Sequence, residues 1–153
     1  MVSRAHYQRH TIVNMISGRE KVPPSMEKFP ALRILVVDDE ALIRWSLVQT
    51  LNDSGHETEE AWDAATAIRT VAETPRPFDV ALLDLCLPDS KGLELLSEVR
   101  RLAPKTQVIL MTAYGTPEIV ERAIDLGAFR VVGKPLEMND ITPLVASASR
   151  AAG

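Results

Sequence analysis

One cysteine, three histidines and no long apolar run are what this 153-residue sequence has least of, and each shortage excludes something. Cys86 alone cannot close an intramolecular disulfide. With no cysteine–histidine cluster, the usual donor set for zinc is missing. A membrane-spanning helix needs about 20 mostly apolar residues in succession, and no stretch here approaches that. Lysine and arginine form no block, and a net charge of −4 gives no general attraction to a phosphate backbone. Direct nucleic-acid binding is therefore not expected, and any influence on DNA would be indirect. Together these absences describe a cytoplasmic protein. An apolar content of 46% is enough for one buried core, and two domains would be a squeeze.

Residues 1–30 differ from the rest. They carry Arg4, Arg9, Arg19, Lys21 and Lys28 against Glu20 and Glu27, with Pro23, Pro24 and Pro30 near the end. Such a segment has little to bury and reads as a flexible extension, or as an upstream start with Met26 opening the domain. It lacks the apolar region of a signal peptide. His6 and His10 stand four apart, as ligands on a helix would, but no further ligand accompanies them.

Beyond residue 30 the chain alternates strand and helix five times. The run Ile34-Leu35-Val36-Val37 reads as a buried strand. Leu42, Trp45 and Val48, and in a second series Ile43, Leu47 and Leu51, follow at helical spacing until Gly55. A short strand is predicted over residues 57–61, then a helix capped by Asp63 that ends before Pro75. A third strand spans 78–85 and a helix carries Leu93 to Leu102. A fourth strand spans 107–112. Thr116 and Pro117 open the next helix, which ends at Gly127, and the fifth strand spans 130–132. Five such units imply a doubly wound α/β fold, a five-stranded parallel sheet with helices on both faces.

The chemistry gathers where apolar runs end in charge. Asp38, Asp39 and Glu40 close the first run, Asp84 closes Val80-Ala81-Leu82-Leu83, Thr112 closes Val108 to Met111, and Lys134-Pro135 follows Val131-Val132. In an open α/β sheet the carboxyl ends of the strands are where ligands bind, so these residues converge on one spot. Three carboxylates brought together repel one another strongly without a cation. Magnesium, which prefers oxygen ligands and takes one or two protein carboxylates, suits them. The set can hold a divalent cation and accept and neutralise a phosphoryl group.

The segments Ile34-Leu-Val-Val-Asp-Asp-Glu40, Ala81-Leu-Leu-Asp-Leu-Cys-Leu-Pro88 with Gly92, Met111-Thr-Ala-Tyr-Gly115 and Gly133-Lys-Pro135 closely resemble the receiver domain of two-component response regulators. Their wording is most similar to receivers of sigma-54-activating, NtrC-like regulators. The resemblance covers residues 31–150 and implies the flavodoxin-like receiver fold with strand order 2-1-3-4-5. It also implies that Asp84 accepts a phosphoryl group from a sensor histidine kinase. By the same resemblance Asp39, Asp84 and the backbone carbonyl of Cys86 bind Mg²⁺, with Asp38 acting mainly through water. Lys134 pairs with the acceptor and then with a phosphoryl oxygen, and the bond before Pro135 is cis. Such a domain is not an enzyme, since it promotes only its own phosphorylation and dephosphorylation.

The resemblance makes Thr112 the switch, its hydroxyl drawing the following loop toward the phosphoryl group. Val131 stands where the family usually carries an aromatic residue, which puts the usual aromatic coupling in question. Phe129, two residues earlier, is expected on the same strand face. Cys86 and Tyr114 occupy positions that tune the lifetime of the phosphoryl group. Cys86 also admits a redox reading, against which the neighbouring carboxylates argue.

Pro143 should kink the last helix if that helix begins near Glu137 or Met138, or else Thr142 caps a new start. Residues 151–153 read as a tail, with no output domain in the sequence. The expected partners are the kinase and a downstream protein or an output domain on a longer chain. A homodimer through the fourth helix, fifth strand and fifth helix is the further partner the resemblance implies. Three readings compete. A receiver-fold interaction module could work without phosphorylation. A dehalogenase-type phosphohydrolase would want Asp-x-Asp in the first loop and a capping insertion. A dinucleotide or flavin binder would want glycine in the first turn, which has none.

Overall fold

Every strand among the described residues runs parallel to its neighbours. The computed structural model describes residues 30–152. Strands β1 (Arg33–Val37), β2 (Glu57–Ala61), β3 (Val80–Asp84), β4 (Gln107–Thr112) and β5 (Ala128–Gly133) form one sheet in the order β2-β1-β3-β4-β5. Between and after them come α1 (Ala41–Asp53), α2 (Ala64–Glu73), α3 (Glu94–Leu102), α4 (Pro117–Asp125) and α5 (Met138–Ala152). The strand order is the one expected from the sequence.

Strand alternation sorts the apolar side chains into two cores. Leu35, Val37, Ala81, Leu83 and Leu110 face one side of the sheet, where α2, α3 and α4 cover them. Ile34, Val36, Leu82, Ile109 and Met111 face the other, against Leu47 and Leu51 of α1 and Ile141 and Val145 of α5. Of the two helical series in α1, only the one containing Leu47 and Leu51 is buried throughout its inner positions. Leu42 and Trp45 point outward, 74% and 59% exposed. The edge strand β2 buries only Ala61 and presents Glu57, Glu59 and Glu60 to solvent, which discourages pairing with another sheet edge.

The expected punctuation is in place. The Asp63 carboxylate accepts from the Thr66 amide at 2.7 Å, and the Thr116 hydroxyl accepts from Ile119 at 3.3 Å ahead of Pro117. Gly55, with φ of +91°, turns the chain out of α1. β3 begins two residues later and ends one residue earlier than the 78–85 expected from the sequence. The Phe78 carbonyl leaves the ladder to accept from the Thr106 hydroxyl at 2.7 Å.

Three expectations need correction. α5 runs as one helix through Pro143, with no new start at Thr142, whose hydroxyl instead meets Ser54 Oγ at 3.0 Å. It also continues through Ala151 and Ala152, past the tail boundary expected at 151, because alanine favours helix. And Phe129 does not share a face with Val131. Val108 pairs with Ala128 but Ile109 pairs with Arg130, so Phe129 is the extra residue of a β-bulge. The bulge shifts the alternation by one, placing Phe129 against the α1/α5 core and Val131 against the other. Residues 1–29, with His6 and His10, lie outside the described residues. No helix among the described residues is long and apolar enough to cross a membrane.

At the edge of the sheet away from the charged strand ends, His56 is 8% exposed and its Nδ1 accepts from the Leu32 amide at 3.0 Å. A protonated Nδ1 could not accept that bond, and burial pushes the imidazole below its usual value of 6.5 despite the charge of Asp79. The unfolded chain therefore binds the proton more readily than the folded one. The contribution of His56 to stability is full above about pH 6.5 and is expected to fall as the pH drops below it. The slope should stay under the one-proton limit of about 1.4 kcal/mol per pH unit. Urea midpoints from pH 5 to 8, compared with those of His56→Gln, isolate this slope, and parallel curves for the two proteins would refute it.

Candidate functional site

Pairing fixes what meets at the carboxyl edge. Val37 pairs with Leu83, so the residues that follow β1 stand beside the end of β3. Asp84 pairs with Met111 and Thr112 with Gly133, which brings Thr112 and then Lys134 to the same rim. The Lys134 amide donates to the Thr112 carbonyl at 2.8 Å, fastening one strand end to the other.

Carboxylate oxygens of Asp38, Asp39 and Asp84 lie within 4.8 Å of one another. Asp38 is fully buried and Asp84 is 5% exposed, while Asp39 faces solvent and makes no ion pair among the described residues. Lys134 Nζ donates to Asp38 Oδ2 at 2.8 Å, lies 3.2 Å from Asp84 Oδ2 and is 3.7 Å from Glu40. The remaining oxygens are also engaged. Asp38 Oδ1 accepts from the Glu40 amide at 2.9 Å and Asp84 Oδ1 from the Cys86 amide at 3.1 Å.

Burial is the main reason the Asp84 carboxyl sits above its ordinary range. The charge of Asp38 adds to it, and the Cys86 amide and Lys134 oppose it only in part. For Lys134 burial alone would favour the neutral amine. The hydrogen bond and charge of Asp38, with Asp84, outweigh it and hold the ammonium above the usual lysine value. The centre is thus a buried cation shared by two buried anions, with a third anion at the mouth.

The other expected residues surround this centre. Thr112 is 2% exposed and its Oγ1 accepts from the Tyr114 amide at 3.1 Å, tying the threonine to the next loop. Asp39, Cys86, Thr112 and Tyr114 line one cleft of about 560 Å³, with Ser90 and Ile119 on its walls. The Tyr114 side chain is 81% exposed and Cys86 is exposed. The Lys134–Pro135 peptide is cis. Val131 is half-buried and packs on the α2/α3/α4 core.

Two participants take their roles at the site only from the fold. Glu40 stands in the acidic motif, yet only the fold places its carboxylate near Lys134. Asp89, in the loop after β3, accepts from the Ala64 and Ala65 amides at 2.7 and 3.0 Å. These bonds hold its carboxyl below the usual range and tie the loop that follows Asp84 to the amino end of α2. Asp89 and its partners are far apart in the chain, which is why no spacing rule finds them.

Comparison with known proteins agrees with this geometry. The family described as the response regulator receiver domain matches residues 34–146. The chain is 35% identical over 116 residues to the transcriptional regulatory protein PdtaR of Mycobacterium tuberculosis, covering 74% of this chain and 54% of that protein. It is 36% identical over 118 residues to the response regulator protein PilR of Pseudomonas aeruginosa, covering 77% of this chain and 26% of that one. The chain thus spans about half or less of the length of these two relatives. Among solved structures, a CheY-like receiver domain protein from Methanospirillum hungatei superposes with a TM-score of 0.75. It is 30% identical, and the match covers 80% of this chain and 97% of that one.

Removing the shared cation leaves two buried carboxylates facing each other. Lys134→Met is therefore expected to cost about 3 kcal/mol of stability at neutral pH, measured by urea unfolding. Asp84→Asn removes one of the two repelling charges while Lys134 keeps Asp38, and is expected to cost far less. Equal losses in the two variants would show that the cluster is not held together by this ion pairing.

Proposed function

Because this chain belongs to the response regulator receiver family, its match running over residues 34–146, we propose that Asp84 takes a phosphoryl group from a phosphohistidine of a sensor histidine kinase and that the modified site switches a protein surface. One observation carries the reading. Asp84 is a buried carboxylate at a strand end, 3.2 Å from a lysine ammonium and within reach of two further carboxylates. A structural ion pair has no need of a third, exposed carboxylate such as Asp39 beside it.

Transfer of a phosphoryl group passes through a loose transition state, so the protein contributes position and charge more than covalent chemistry. A carboxylate oxygen of Asp84 attacks phosphorus in line, the phosphorus–nitrogen bond breaks, and its electron pair leaves with the kinase imidazole. Lys134 is already beside Asp84 and can turn to a phosphoryl oxygen, since an ammonium on a flexible stem needs little reorganisation. Thr112 donates its hydroxyl to another phosphoryl oxygen while still accepting from Tyr114, so the loop after β4 follows the threonine.

The donor set fits a hard cation. Asp39 and Asp84, with the Cys86 carbonyl and with Asp38 through water, would hold Mg²⁺, whose preference is for oxygen. When bound, the ion neutralises charge on the phosphoryl oxygens. No small substrate is turned over in this reading, and the only reaction is gain and loss of the protein's own phosphoryl group.

The switched surface acts on a downstream protein or on an output domain of a longer chain. Apolar Val120, Ile124 and Leu126, 36%, 46% and 39% exposed at α4, support a homodimer through α4, β5 and α5. The test is intact mass after incubation with acetyl phosphate and Mg²⁺. One added phosphoryl group is expected, and neither Asp84→Asn nor the metal-free protein should gain it. No addition to the folded protein would overturn this reading in favour of an interaction module that works without phosphorylation.

A further inference from the structure

Gly115 owes its identity to a neighbour and not to its backbone. Gly55, Gly92 and Gly127 have φ of +91°, +59° and +101°, where a side chain is strained. Gly115 has no such conformation. A Cβ built on it meets the Thr112 methyl, Cγ2, at 3.1 Å and Val120 Cγ2 at 3.7 Å. The second distance is ordinary contact. The first is too close unless the threonine gives way by a few tenths of an ångström.

Thr112 has little freedom to do so. Its carbonyl is held by the Lys134 amide at 2.8 Å, and the residue is 2% exposed. A β-branched side chain moves chiefly by rotation about χ1, which is stiff. The methyl and the hydroxyl share one carbon, so a rotation that relieves the methyl displaces Oγ1 by a similar amount. The displaced oxygen also leaves the Tyr114 amide, now 3.1 Å away.

We propose that Gly115 is a positioning residue for the Thr112 hydroxyl, its missing side chain being the room in which the Thr112 methyl sits. This rests on the reading that Thr112 donates to a phosphoryl group on Asp84. The small residue aims the donor while Val120, at the start of α4, closes the far side of the same space. The contact thereby links the donor's position to the helix that follows.

The test is a double-mutant cycle of Gly115→Ala and Thr112→Ser, the latter keeping the hydroxyl and deleting the methyl. Gly115→Ala alone is expected to slow phosphoryl uptake from acetyl phosphate about tenfold, as a slightly misplaced group does. It is also expected to speed hydrogen exchange at the Tyr114 amide. In the Thr112→Ser background the same glycine change should cost less than about twofold and leave the exchange unaltered. A cost equal in both backgrounds, or no cost in either, would overturn the proposal. Should the parent protein take up no phosphoryl group, the acceptor reading itself fails. The exchange rates of the four proteins then decide alone whether Gly115 sets the hydroxyl. The residue is exposed, so the substitution leaves the core intact.

Discussion

Lys134 Nζ stands 2.8 Å from Asp38 and 3.2 Å from Asp84, and the two buried carboxylates share that one ammonium as the offset to their burial and mutual repulsion. The lysine reaches them from the far side of the sheet. Two strands, β3 and β4, separate β1 from β5, so the pairing holds only while all four ends keep their register. The ion cluster and the sheet therefore depend on each other. The register gathers the charges, and the charges penalise any slip that would bury one of them alone.

The remaining contacts at the rim fix the loops relative to this centre. The backbone bond from Lys134 to Thr112, the Tyr114 amide on the threonine hydroxyl and the Cys86 amide on Asp84 each attach a loop to a charged or hydroxyl group. Asp89 attaches the loop after Asp84 to the amino end of α2. Loops that lead into three different helices are thus attached at or beside Asp84. No long chain of intermediates is needed, because each loop touches the centre or its immediate neighbour.

Much of this was legible in the sequence, for local reasons. Buried parallel strands are short apolar runs, and a polar residue ends each one where it leaves the sheet, so Asp38, Asp84, Thr112 and Lys134 could be placed from one-dimensional pattern alone. Asp63 and Thr116 were equally plain, since a cap lies beside the amides it serves. What could not be read depends on pairing between distant segments. The bulge at Phe129 carries no glycine and shows only in the shift against β4. Asp89 bonds to residues more than twenty positions earlier. In α1 both helical series looked equally apolar, and only the sheet beneath decided that Leu42 and Trp45 would face water. Pro143 weighed against a continuous helix, but packing of Ile141, Val145 and Ala148 on the sheet carries α5 through it.

The two borders of the sheet have consequences for how copies of the molecule can meet. Along β2 the row of Glu57, Glu59 and Glu60 would confront its own image in any edge-to-edge pairing of two such strands. Along β5 the extra residue at Phe129 breaks the even ladder that a continuing strand would need. Growth of the sheet from molecule to molecule is discouraged at both ends, at one by charge and at the other by geometry. Edge strands guarded in this way favour contacts between copies through the helical faces, where side chains and not backbone amides write the recognition.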